Sequence, residues 1–171
     1  MIWLALVLRV LHVVSGVFWA GTSFFIVLVL QPVVDRSGPE GERFLQRLFI
    51  EGNLSRTLAI AGGSTILLGL GLFAIVSSGF HADWILSRHG LAIALGAAAA
   101  IAAGFVGGTS GRTGQQMVAL GNAIAAGGAP PSAEQLAELE RLRARLHGSA
   151  RITAVLLLVA VLGMSAARYA L

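Results

Sequence analysis

The chain has no cysteine and no lysine, few charges of either sign, one tyrosine and four prolines. Without cysteine there are no disulfides, thiolate metal sites or thiol nucleophiles. Only 12% of the residues are charged against 56% hydrophobic, and the mean hydropathy is +0.83, whereas soluble domains carry about 25% charged residues. A water-soluble fold of 171 residues cannot hide that much apolar surface, so the solvent for it must be lipid. The sequence also lacks a Gly-rich phosphate loop, a Walker motif and a His-Glu-x-x-His pair. It offers no nucleophile–base pair that would argue for hydrolysis. All 12 basic residues are arginine, and the net charge is +4. With no soluble basic domain to present that charge, nucleic acid is excluded as a partner, and the arginines are read as topology information.

What is present is a set of long apolar runs. About 20 apolar residues cross the hydrocarbon layer as a helix, and four runs qualify: residues 2–30, 57–80, 84–108 and 152–169. The first is interrupted by Arg9 and His12 and has no small-residue cleavage site, so it reads as a retained helix closed by Gln31-Pro32, not as a signal peptide. The connections are 31–56 and 109–151. In the first, Phe44, Leu45, Leu48 and Phe49 share one face, which predicts a short helix lying at the membrane surface. In the second, Gly127-Gly-Ala-Pro-Pro131 is a breaker. Ser132-x-x-Gln135 predicts a capped helix running on into the fourth span.

Four crossings put both termini on one face. Arg36, Arg43, Arg47, Arg56, Arg112, Arg141, Arg143, Arg145 and Arg151 then share the opposite face, against Arg9, Arg88 and Arg168 with the termini. The positive-inside rule makes the arginine-rich face cytoplasmic. Trp3, Trp84 and Tyr169 fall at the other interface, as aromatic anchors do. The expected fold is therefore all-α, an up-down-up-down four-helix membrane bundle with non-cytoplasmic termini. Gly16-x-x-x-Ala20, Gly69-x-Gly71 and Gly104-x-x-x-Gly108 suit close helix packing in lipid.

Ionisable groups inside a span are costly and so are functional candidates. His12 and His89 fall in the same half of the bundle, at depths differing by about 5 Å at ~1.5 Å per residue, and Met164 lies in that half too. His81 belongs at the surface, and His147 lies on the cytoplasmic side. Imidazoles paired across a helix bundle are how haem b is commonly held, with cations nearer the surface for its propionates. His12 and His89 are then the axial, metal-binding pair, Arg9 and Arg88 the propionate partners, and Gly16, Gly90 and Gly96 the room for a flat macrocycle. Three readings stay open. One is a haem b protein in electron transfer, with a redox partner protein or a second copy beside it. Another is a cofactor-free membrane subunit or permease-like protein, its histidines bonding neighbouring helices and its arginines snorkelling. The third is a copper site of His12, His89 and Met164.

The run Leu11-His-Val-Val-Ser-Gly-Val-Phe-Trp-Ala-Gly21 resembles the opening helix of the copper-resistance D (CopD)-like membrane proteins and related uncharacterised bacterial families, where Leu-His is followed two turns later by Trp-x-Gly. Leu67-Leu-Gly-Leu-Gly-Leu72 and Met164-Ser-Ala-Ala-Arg-Tyr169 are similar in kind. The resemblance implies a four-helix unit in a bacterial inner membrane, with His12 the position that matters and haem or copper handling as the activity. Three methionines and no cysteine set haem ahead of copper.

The topology is directly testable. Reporter fusions at Gly38 and at Gly128 should both behave as cytoplasmic, and an external signal from either would overturn the assignment.

Overall fold

In the computed structural model, which describes residues 2–169, every regular element is helical. They are α1 (Ile2–Phe25), a π-helical turn (Ile26–Leu30), α2 (Gln31–Ile50), α3 (Leu54–Val76), the short α4 (Ala82–Ile85), α5 (Arg88–Ala126), α6 (Ala133–Ala166) and a terminal 3-10 turn (Ala167–Tyr169). Four helical stretches are long and apolar enough to cross a membrane: Ile2–Phe49, Leu54–Val76, Arg88–Ala126 and Ala133–Tyr169. Their outer faces are apolar and bare. Val17, Leu67, Leu95 and Phe105 are 67–79% exposed, which in water would be a large unfavourable surface and in lipid is a solvated one.

Local chemistry accounts for the helix ends. Pro32 does not close the first helix, as its position in the sequence suggests. A proline inside a helix removes an N–H and drives its ring against the carbonyl four residues back. Here the π turn absorbs the mismatch. The Gln31 N–H bonds to the Ile26 carbonyl, five residues back, and the helix passes through Pro32. The break comes instead at Gly38, whose φ of 56° and ψ of −138° only glycine adopts without strain, with Pro39 starting the next helical turn. α3 ends on Ser77, which is fully buried. Its hydroxyl donates to the Phe73 carbonyl at 2.6 Å and accepts from the Phe80 N–H at 2.9 Å. α5 starts on Ser87, whose hydroxyl accepts from the Gly90 N–H. α6 starts on the anticipated capping box, Ser132 and Gln135 satisfying each other's backbone N–H at 3.2 and 2.9 Å.

Helix also fills most of the 109–151 stretch. α5 runs on to Ala126 and α6 begins at Ala133, because residues 109–126 contain no proline and several strong helix formers. At ~1.5 Å per residue, the 39 residues of α5 reach about 58 Å, nearly twice the ~30 Å hydrocarbon layer. The α5–α6 hairpin therefore projects well beyond any bilayer that holds it.

The helices associate as two tight pairs, α1 with α3 and α5 with α6, and the pairs touch each other more sparingly. In the first pair, His12 lies on Gly69, Gly16 on Thr65 and Trp19 on Gly62. Seven residues forward on α1 match seven residues back on α3, so the contacts form one continuous seam. A methyl group at Gly62 would stand 2.9 Å from the Trp19 ring. In the second pair, a methyl at Gly96 would meet Met164 Cγ at 3.0 Å, and one at Gly163 the Ala92 carbonyl at 3.1 Å. Trp19, Ala20, Ala103 and Leu157 join the two pairs in a core reaching Phe24, Leu58, Ala61, Ile66 and Leu156.

Below this core the second half of α2 folds back. Leu45, Leu48 and Phe49 pack on Ile26, Leu30 and Val34, while Phe44 stays exposed. The projecting part of α6 meets α2 through polar groups: Arg143 pairs with Glu42, and His147 Nε2 lies 3.9 Å from Asp35. Farther from the core on its exposed face, the Arg141 guanidinium donates two hydrogen bonds to Glu138 and holds that carboxyl below the usual range.

Two neighbouring glycines separate packing from helix propensity. Gly62→Leu should lower unfolding free energy in detergent by about 1–3 kcal/mol, the usual cost of overpacking. Gly63 has open space around it, so Gly63→Leu should leave stability unchanged or raise it. Equal losses in an SDS titration of the two variants would refute the Trp19–Gly62 seam.

Candidate functional site

Where the pairs diverge above the Trp19 core, they leave a cleft of about 490 Å³ walled by α1, α3, α5 and α6. That volume lies within the ~300–1,000 Å³ range of small-molecule sites. Its walls are mostly aliphatic, including Val13, Val17, Leu70, Ile93, Ala97 and Val161, with Trp19, Ala100 and Leu157 toward its floor. Few polar residues enter: Arg9, His12, Thr65 and Ser165, with Met164 adding a thioether.

His12 is the best-defined of these. Its Nδ1 lies 2.8 Å from the Thr65 carbonyl of α3. A carbonyl only accepts, so Nδ1 carries a proton and donates it, which in the neutral ring leaves the lone pair on Nε2. The ring reaches that carbonyl because residue 69, one turn along, is glycine. A Cβ there would sit 2.8 Å from Cε1 and 3.1 Å from Nδ1. Beside it, the Thr65 and Ser15 hydroxyls are 3.0 Å apart, within reach of the Ala61 and Leu11 carbonyls. Histidine, threonine and serine thus form a polar strap between α1 and α3 in an otherwise apolar interface.

The other sequence candidates divide. Met164 shares the cleft with His12, its Cγ resting against Gly96. Arg9 lines the cleft too, and it forms no hydrogen bond or ion pair among the described residues. His89 is not part of the lining. It straps the second pair, its Nδ1–H donating to the Ala167 carbonyl at 2.8 Å, and its ring meets Trp84 edge-on at 5.7 Å. Arg88, at the exposed start of α5, is also outside the cleft. His81 is exposed before α4, and His147 lies toward the opposite end, beside Asp35. Of the glycines expected to make room for a macrocycle, Gly16 lines the cleft beside Thr65, whereas Gly96 is in close contact with Met164 and Gly90 with the turn at Trp84 and Ile85. Thr65 is the residue that sequence reasoning passed over. The Gly69 beside it was the available signal.

Among the described residues no three of His, Asp or Glu approach closely enough to hold a metal ion. The cleft presents one imidazole, one thioether and one guanidinium around an apolar space. Such a set suits a ligand that brings most of its own metal coordination, or an apolar molecule with an anionic end.

The tautomers can be measured. In 15N-histidine-labelled protein at neutral pH, two-bond 15N–1H spectra should show His12 and His89 as Nδ1–H tautomers. An Nε2–H pattern at either position would contradict the corresponding helix strap.

No protein-family model, curated protein or solved structure matches this chain.

Proposed function

We propose that this chain is a multi-pass protein of the bacterial inner membrane that binds haem b in the central cleft and serves electron transfer. Its four spans run up-down-up-down, with both termini on the non-cytoplasmic face. The observation that carries the cofactor reading is the His12 hydrogen bond. Haem and metal ligands characteristically donate one ring N–H to a backbone carbonyl and present the other nitrogen to the metal, and His12 is arranged in that way against Thr65. A porphyrin supplies four of its iron's ligands, so the protein need supply only one or two, which fits a site without a three-residue ligand cluster.

In this reading His12 Nε2 on α1 and the Met164 thioether on α6 are the groups that would hold the haem iron. Arg9 takes a propionate at the rim, and the aliphatic walls exclude water. When bound, the haem supplies a one-electron iron centre, whose potential a thioether ligand raises. The resemblance of Leu11–Gly21 to the CopD-like opening helix points the same way. His89 makes the same kind of bond, to the Ala167 carbonyl, but is outside the cleft lining, so this reading takes Met164 beside His12 in place of the His12–His89 pair expected from sequence alone.

The test is the absorption spectrum of protein purified from haem-replete cells. The wild type should show a Soret band. His12→Ala should abolish it or leave a weak residue, Met164→Leu should shift it, and His89→Ala should keep it. Loss of the band in His89→Ala as well would restore the bis-histidine pair. Arg9→Ala should retain haem at a lower midpoint potential, because the cation favours the reduced, less positive iron. At ~3–6 Å from a propionate in a partly wet site, the effect is on the order of 1–2 kcal/mol. A colourless wild type would end the haem reading in favour of a cofactor-free membrane subunit.

A further inference from the structure

A second concave site lies at the other end of the bundle, on the outer face of α2, and is independent of the cleft. It has a volume of about 270 Å³ and is lined by Arg43, Gln46, Arg47 and Glu51. Arg43, Arg47 and Glu51 are four residues apart on a helix, so they form one row with side-chain roots about 5–6 Å apart.

Three observations bear on what this row meets. First, the charged groups of α2 differ in their partners. Asp35 and Glu42 face α6, at His147 and Arg143, whereas the side chains of Arg43 and Arg47 make no hydrogen bond or ion pair among the described residues. Two guanidinium groups in one shallow site, neither paired with the Glu51 carboxylate that also lines it, form a receptor for an external anion. Second, the helix is held at a particular depth. Leu45, Leu48 and Phe49 pack on Ile26, Leu30 and Val34, where the first membrane-crossing stretch gives way to its polar end. Third, Phe44 stands beside Arg43 and is 56% exposed. An aromatic side chain next to paired arginines on a helix held at that level has the pattern of a helix lying in a bilayer interface, apolar groups inward and cations at the headgroups.

We propose that Arg43 and Arg47, assisted by the Gln46 amide, bind the phosphodiester of a membrane phospholipid headgroup. Phe44 lies among the upper acyl carbons beside it. Glu51, one turn beyond the arginines, accepts from a donor on the head itself, the ammonium of phosphatidylethanolamine or the glycerol hydroxyls of phosphatidylglycerol. The choline head has no N–H or O–H to offer. The site therefore prefers ethanolamine and glycerol phospholipids over phosphatidylcholine. It also fixes the depth of α2, the segment between the first two spans.

Native mass spectrometry of the detergent-solubilised protein, titrated separately with phosphatidylglycerol, phosphatidylethanolamine and phosphatidylcholine, tests this. The wild type should retain the first two in preference to the third. The double variant Arg43→Gln/Arg47→Gln should bind phosphatidylglycerol about 25-fold more weakly, from about 1 kcal/mol per arginine near a lipid surface and 1.4 kcal/mol per tenfold. Glu51→Gln should lower the affinity for phosphatidylethanolamine more than that for phosphatidylglycerol. Arg141→Gln removes a charge already engaged by Glu138 and should change nothing. Equal retention by wild type and double variant, an equal loss in Arg141→Gln, or the same affinity for all three lipids would overturn the proposal. So would displacement of the lipid by millimolar inorganic phosphate, which would make this a free-phosphate site. None of these outcomes depends on whether the cleft binds haem.

Discussion

The arrangement rests on α3 having no side chain at Gly62 and Gly69, where α1 has its two largest inward groups. Trp19 and His12 are seated on those two glycines. In lipid, helix association gains little from the hydrophobic effect, because acyl chains are as apolar as leucine. Close packing and interhelical hydrogen bonds must do the work. The glycines allow both. At Gly62 the indole lies against bare backbone, and at Gly69 the imidazole comes close enough to donate to the Thr65 carbonyl at 2.8 Å. The bond that holds the pair together also selects the histidine tautomer. The structural role of His12 and its availability as a ligand therefore come from one contact.

The second pair repeats the device with different residues. His89 donates to the Ala167 carbonyl and small residues line the α5–α6 contact at Gly96 and Gly163. Each pair is thus a self-sufficient hairpin with its own histidine strap. The cleft exists because the pairs are joined firmly only around Trp19, Ala20, Ala103 and Leu157. Above that core the cleft opens, lined from Arg9 on α1 to Ser165 on α6. Below it, the π turn before Pro32 and the break at Gly38 turn the chain so that α2 returns to the bundle. Asp35 and Glu42 then meet α6, and Arg43 and Arg47 line a shallow site of their own.

Much of this was legible in one dimension. The apolar runs, the arginine distribution and the Ser132–Gln135 cap depend on spacing and composition, which a sequence displays directly. The reach of α5 to Ala126 and the passage of helix through Pro32 were not legible. Glycine-rich or proline-marked stretches read as breaks, and whether they break depends on what the rest of the helix gains by continuing. His12, Arg9 and Met164 were recognisable as unusual residues for their depth, and the cleft brings them to one lining. His89 has the same residue type and a similar depth, yet its ring is turned to Ala167 and Trp84. Residue type and depth do not fix rotation about the helix axis.

By itself the sequence determined that this chain is helical, that lipid is the solvent for most of its surface, and where its polar groups interrupt that surface. Those properties follow from hydrophobicity and periodicity, which are sums over local residues. Only the tertiary structure decided which histidine borders the cleft and which does not, which glycines receive a ring, and which arginines on α2 form no ion pair. Those outcomes depend on the register between helices far apart in the chain. Register is set by the mutual fit of side chains such as Trp19 and Gly62, which no single segment contains.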